Sequence, residues 1–215
     1  MTFGGLIRLV VGLVGTAAIG AHSAWAIDVS LSSEEAHKTL ETGRTPMEKA
    51  NSQDEVKKVL QQASLATRVG ADPETDPCGA SAVLRTKRYR LEAFGRQEAA
   101  ESKKRKTDIR MPEEFIKKVM DMPNMEIEVQ LGGDDEYFAE GAVIELQQGA
   151  KRIKAIDIGK AERGRKNETN GPAYRSRFTA LFAYERFDPH AASVFVVNLQ
   201  DGKEIRIPAE FSKVK

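Results

Sequence analysis

The chain has 215 residues, with 33 Lys and Arg against 32 Asp and Glu, a formal net charge of +1, and a single cysteine. This near-neutral balance argues against a dedicated nucleic-acid binder, and one cysteine excludes an internal disulfide. The length allows one domain or two small ones.

Residues 1–26 have the pattern of a cleavable export signal. One arginine precedes a long, largely apolar and uncharged run that ends in small residues at Ala24 and Ala26. Because signal peptidase accepts small side chains at these two positions, we expect a mature periplasmic or secreted chain that begins at Ile27. The alternative is an uncleaved N-terminal membrane anchor, for which the apolar run has marginal length.

Three helix starts are predicted in the segment that follows. Ser32, Thr45 and Ser52 each stand three positions before a glutamate, the spacing of a capping box. Gly43 and Gly70 stand where a left-handed residue could end a helix. The pattern predicts helices near residues 33–42, 46–50 and 53–68, and the last carries an apolar stripe through Val56, Val59, Leu60 and Ala63.

Residues 70–79 contain two Asp-Pro pairs and two glycines, which predict a loop. Cys78 lies in this loop and has acidic neighbours, which disfavour a reactive thiolate. We interpret its thiol as inert, with an exposed thiol or a cross-link to a partner as alternatives. A strand over 80–86, a charged helix over 88–106 and a short helix over 112–120 follow.

The apolar period changes from 3.6 to 2 after residue 122. Residues 125–131 alternate apolar and polar side chains, and Asp201-Gly202 between two such runs predicts a hairpin. We therefore expect an α+β fold, with a helical region over 27–122 and an antiparallel β-sandwich-like domain over 123–215. The strand candidates are 125–131, 138–147, 152–158, 174–187, 194–199 and 204–207, and 159–172 is a predicted loop.

The same half of the chain carries motifs of a wider group. These motifs are EIEVQL at 126–131, YFAEGAVIEL at 137–146, the segment 154–158, FAYERF at 182–187 and DGKEIRIPAEFSKV at 201–214. In them the chain resembles a group of uncharacterised bacterial exported proteins, in which a helical N-terminal region precedes an antiparallel β-domain. The resemblance implies an exported domain of unknown function and supplies no catalytic residue.

Residues that could carry chemistry are few. The three histidines have no metal-ligand spacing, so the sequence predicts no metal, no cofactor and no histidine-based catalysis. The densest acidic cluster is Asp134, Asp135 and Glu136, which we interpret as a solvated turn, since it lacks the spacing of a calcium loop.

Charge is neutral in sum but arranged in blocks. Residues 85–118 carry 12 basic and 6 acidic residues, 119–150 carry 8 acidic and no basic ones, and 151–177 carry 9 basic and 3 acidic. The favoured hypothesis is a non-enzymatic interaction module that binds an unknown envelope protein or ligand. The alternatives are a carboxylate-dependent hydrolase and a binder of anions or anionic membrane surfaces through 85–118.

Overall fold

The chain folds as a mixed α+β structure in which four helices accompany two antiparallel sheets. The computed structural model describes residues 27–72, 75–168 and 171–214, and the elements named below belong to these ranges. The predicted signal residues Ala24 and Ala26 lie outside the described residues. No helix in the described ranges is long and apolar enough to cross a membrane.

Three of the four helices begin at hydroxyl caps, and the capping-box spacing predicts two of these, Ser32 and Ser52. The Ser32 side chain accepts a hydrogen bond from the Glu35 amide at 3.3 Å, and the Glu35 carboxylate accepts one from the Ser32 amide at 2.8 Å. Ser52 caps the second helix by accepting a hydrogen bond from the Glu55 amide at 3.2 Å, whereas the Glu55 carboxylate accepts one from the Asn51 amide at 2.5 Å. The helices are α1 (Ser33–Lys49), α2 (Gln53–Ala66), α3 (Lys87–Arg105) and α4 (Glu113–Met120).

The predicted break in the first helix is wrong, because α1 continues through Gly43 and Pro46. Gly43 does not end the helix but faces α3, where a Cβ atom on it would lie 2.0 Å from the Glu92 carbonyl oxygen. The close approach of α3 holds α1 helical and offsets the hydrogen bond that proline removes. Gly70 has a positive φ of 86°, but it ends a strand rather than a helix.

Ten strands form the two sheets, and every neighbouring pair is antiparallel. Sheet 1 has the order β1-β2-β3-β8-β6, with β7 also paired to β8, and sheet 2 has the order β10-β9-β4-β5. The strands are β1 (Arg68–Gly70), β2 (Ser81–Arg85), β3 (Asn124–Gly133), β4 (Val143–Gln148), β5 (Lys151–Lys154), β6 (Asp157–Ile158), β7 (Arg165–Lys166), β8 (Tyr174–Ala183), β9 (Ser193–Asn198) and β10 (Glu204–Ala209).

Both sheets contribute side chains to one hydrophobic core. The alternation in β3 places Ile127 and Val129 in this core, both fully buried, as the period of 2 predicts. Phe182 of sheet 1 meets Phe195 of sheet 2 with ring centroids 5.6 Å apart. Helices α1, α3 and α4 bury a second, smaller cluster around Leu40 and Leu91.

Several predicted strands have different limits in the structure. Residues 138–142 form turns before β4, and 152–158 divides into β5 and β6, which belong to different sheets. The hairpin at Asp201-Gly202 is confirmed, because it joins β9 to β10. Strand pairing also crosses residue 122, since β2 from the predicted helical region pairs with β3.

Candidate functional site

The outer side of sheet 1, opposite the core, carries a dense network of arginine and glutamate. The strand register places Arg68, Val83 and Glu128 in one row, and Arg85 beside Glu126 in the next. We call this surface the arginine face and define it by its charged members, Arg68, Arg85, Arg90, Glu126, Glu128 and Arg177.

Three arginines of this face share two carboxylates. Arg85 donates to both Glu126 and Glu128. Arg90 reaches down from α3 and donates to Glu126 at 2.7 Å, and Arg177 lies 3.7 Å from Glu128. Burial alone would raise the pKa of Glu126, but the hydrogen bonds from Arg90 and Arg85 lower it below its usual value. Glu126 is therefore a fixed negative charge.

Arg68 is the fourth guanidinium of the face and the least well compensated. Burial, together with the positive charge of Arg177, lowers its pKa despite Glu128 and Asp72 nearby. One of its terminal nitrogens donates to the Ser81 hydroxyl at 2.7 Å, whereas its buried Nε has no hydrogen-bond partner among the described residues. An added anion would stabilise this charge.

A cleft of about 480 Å³ lies beside Arg68, between the edges of the two sheets. The edge strands β1 and β10 form its sides, and it has both cationic and anionic walls. Arg206 and Lys213 are engaged within the chain by Glu204 and Glu210, at 2.9 and 2.5 Å. Arg68 is thus the cation of this cleft with the weakest anionic compensation.

The charge blocks of the sequence meet on this face. The basic stretch 85–118 supplies Arg85 and Arg90, the acidic stretch 119–150 supplies both glutamates, and the second basic stretch supplies Arg177. The alternation of β3 predicts that Glu126 and Glu128 share a side of a strand. Spacing alone does not reveal the arginines, because they come from distant segments that only the strand register aligns.

Cys78 is buried, with 6% of its surface exposed. The Asn167 side-chain amide donates a hydrogen bond to its Sγ atom at 2.7 Å, and Gly171 packs against the same sulfur. Burial restricts the access of a reagent to the thiol.

The acidic cluster does not converge on a cation. Asp135 accepts a hydrogen bond from the Tyr137 amide at 2.7 Å, and Glu136 forms an ion pair with Arg163 at 2.5 Å. Asp134 is exposed beside them. No group of three potential metal ligands occurs within the described ranges.

The structure divides the basic stretch 85–118 into two parts. Arg85 and Arg90 are engaged by glutamates of sheet 1, whereas Lys103 to Lys106 at the end of α3 are exposed.

The hydrolase hypothesis requires two neighbouring carboxylates, one of which has a raised pKa. Glu126 and Glu128 both bind Arg85, but the pKa of Glu126 is lowered. Burial does raise the pKa of Glu92, which pairs with Arg96 elsewhere on α3.

Comparison with known proteins gives no match to a family model, to a curated protein or to a solved structure.

Proposed function

We propose that the protein is an exported, non-enzymatic binding module whose two sheets form a β-sandwich-like body, and whose arginine face binds a carboxylate-rich partner in the cell envelope. The observation that carries this proposal is the excess of cations on the face, where three guanidinium groups share two carboxylates and a fourth, that of Arg68, donates only to the Ser81 hydroxyl among the described residues. Guanidinium pairs well with carboxylate because it presents several donors in one plane.

The geometry suits recognition of an extended acidic surface rather than turnover of a substrate. Arg85 and Arg177 are 32% and 54% exposed in their side chains, so both can contact a partner without a change in the fold. Glu126 and Glu128 fix the orientation of the arginines before binding, which reduces the entropy lost on association. Export through residues 1–26, and the resemblance to uncharacterised exported proteins, form part of the same proposal.

The test measures binding of a labelled oligoglutamate peptide by fluorescence anisotropy. The protein should bind it, and the affinity should fall with added salt, since exposed charges are screened. Arg177→Gln should weaken binding about three- to fivefold, in keeping with an exposed ion pair contributing about 1 kcal/mol or less.

Arg152→Gln is the matched control, because Arg152 is 57% exposed and pairs with Glu145 on sheet 2 rather than on the arginine face. This variant should bind the peptide as the parent does. Equal weakening by both variants would show that binding follows overall charge and would refute the role of the arginine face. Absence of peptide binding at low salt would also count against it.

A further inference from the structure

Helix α2 is amphipathic but does not bury its apolar side. All fourteen of its residues are described, and none of them is buried. Leu60 is 49% exposed although it lies in the apolar stripe of the helix. A helix with such a stripe normally packs it against a core. Here the stripe instead borders an open groove.

The groove lies between α2 and α3 and has a volume of about 550 Å³, within the usual range for small-molecule sites. Val56 and Leu60 of α2 form one wall, one helical turn apart, and Met47 of α1 closes an end. Tyr89, Ala93 and Ala100 line the floor on α3, which at 1.5 Å per residue is roughly 16 Å long. Arg96 and Gln97 supply polar groups partway along it. The groove is therefore elongated and suits an extended chain.

Arg96 places a largely buried guanidinium group in the lining of this groove. The side chain of Arg96 is only 9% exposed, and it lines the groove beside the Tyr89 ring. Its Nη1 atom lies 3.6 Å from Glu92, beyond normal hydrogen-bond length, so this ion pair leaves donors of the guanidinium for another acceptor. An apolar channel with a buried guanidinium matches a ligand that has one alkyl chain and one anionic group.

We propose that this groove binds a medium-chain fatty acid, with the alkyl chain between Val56 and Leu60 and the floor of α3, and the carboxylate on Arg96. The carboxylate takes hydrogen bonds from the guanidinium, and the chain covers the exposed stripe of α2. Glu92 is the competing anion at this position. Lys103, whose ammonium group donates to the Ala50 carbonyl, adds positive charge at the rim.

Calorimetric titration of the purified protein with dodecanoate, below its micellar concentration, tests the proposal. Dodecanoate should bind, and dodecanol and acetate should each bind at least tenfold more weakly, because each lacks one half of the recognised ligand. Leu60→Gln should weaken dodecanoate binding about tenfold, since the removed contact is apolar. Ile156→Gln is the control, because Ile156 is 50% exposed and lies outside the groove.

Arg96 is tested by a change in ligand selectivity. Arg96→Gln should lower the affinity for dodecanoate about tenfold or more, while the affinity for dodecanol stays unchanged. If this variant does not fold, Leu60→Gln still tests whether dodecanoate binds in the groove, because the Leu60 side chain is exposed and its replacement should leave the fold intact. Glu92→Gln should tighten dodecanoate binding by removing the competing carboxylate.

Three results would overturn the proposal. Equal affinities for dodecanol and dodecanoate would remove the role of Arg96. Equal effects of Leu60→Gln and Ile156→Gln would place the binding elsewhere. Concentration-dependent dimerisation that Leu60→Gln abolishes and dodecanoate leaves unchanged, measured by sedimentation, would identify a second copy of the chain as the occupant of the groove.

Discussion

Arg44 is a buried cation that joins three segments of the helical part. Its side chain is 4% exposed and lies at 2.5 Å from Glu48, 3.3 Å from Glu98 and 2.5 Å from Asp108. It also donates to the Ile109 carbonyl at 2.9 Å, so that α1, α3 and the segment before α4 meet at one guanidinium. A planar group with five donors can satisfy all of these acceptors at once.

Removing this guanidinium should destabilise the protein more than removing an exposed one. Arg44→Ala leaves Glu98 buried without its cation, and we expect the free energy of unfolding to fall by about 3 kcal/mol. This loss lies at the low end of the range for breaking a buried ion pair, because Glu48 and Asp108 are exposed and can be solvated once Arg44 is removed. Urea denaturation followed by circular dichroism measures the change.

Arg110 provides the comparison for Arg44. It is 52% exposed and contacts Glu41 and Asp108. Arg110→Ala should therefore cost less than about 1 kcal/mol. Similar losses for the two arginines would mean that the burial of Arg44 adds nothing to stability.

At the scale of elements, two glycines set the distance between α1 and α3. A Cβ atom on Gly95 would lie 2.0 Å from the Leu40 carbonyl oxygen, and one on Gly43 would meet the Glu92 carbonyl at the same distance. In both cases the clashing atom belongs to the backbone, which cannot relieve the contact by changing rotamer as a side chain can. The crossing can only relieve such a contact by separating the helices.

Gly95→Ala should therefore destabilise the fold although alanine favours a helix. The gain in helix propensity is about 1 kcal/mol, whereas forcing the packed helices apart typically costs 1–3 kcal/mol and loosens the cluster around Leu40. We expect a net loss of up to about 2 kcal/mol in urea denaturation. Lys104→Ala, at an exposed site on the same helix, should change stability by less than about 0.5 kcal/mol. A more stable Gly95→Ala variant would contradict the close crossing.

The same crossing explains where prediction from sequence stops for the helices. The helix starts at Ser32 and Ser52 can be predicted from local sequence, because each cap and its glutamate lie within one helical turn. Gly43 followed by Thr45-Pro46 has the local signature of an end and a new start, yet α1 continues. The reason lies in α3, about fifty residues away, which no local pattern contains.

At the scale of the whole molecule, the sequence predicts which side of a strand is buried better than it predicts which strands lie side by side. The alternation of residues 125–131 predicts both the buried side of β3 and the outward position of Glu126 and Glu128. It does not predict that Arg68, Arg85 and Arg177 lie beside them, because strand order and register depend on long-range pairing. The groove could not be predicted for a related reason. The apolar stripe of α2 is visible in the sequence, but the sequence does not show that no element among the described residues covers it.

Export of the chain can be tested by its intrinsic fluorescence. Trp25 is the single tryptophan of the sequence and lies inside the predicted signal. Ile27, the residue after the predicted cleavage, is 4% exposed in the core, and Asp28 pairs with Arg88 at 2.6 Å, so the first residues of the predicted mature chain belong to the fold. Protein recovered from the envelope should show tyrosine emission without tryptophan emission, and its mass should match a chain that begins at Ile27.

A variant with a blocked cleavage site completes this test. Ala26→Leu places a large side chain where signal peptidase requires a small one, so this variant should keep residues 1–26 and emit as a tryptophan protein. Tryptophan emission from the parent protein, at the intensity of the variant, would identify residues 1–26 as a retained anchor. The arginine face would then act at the membrane surface, and its acidic partner would have to reach it there.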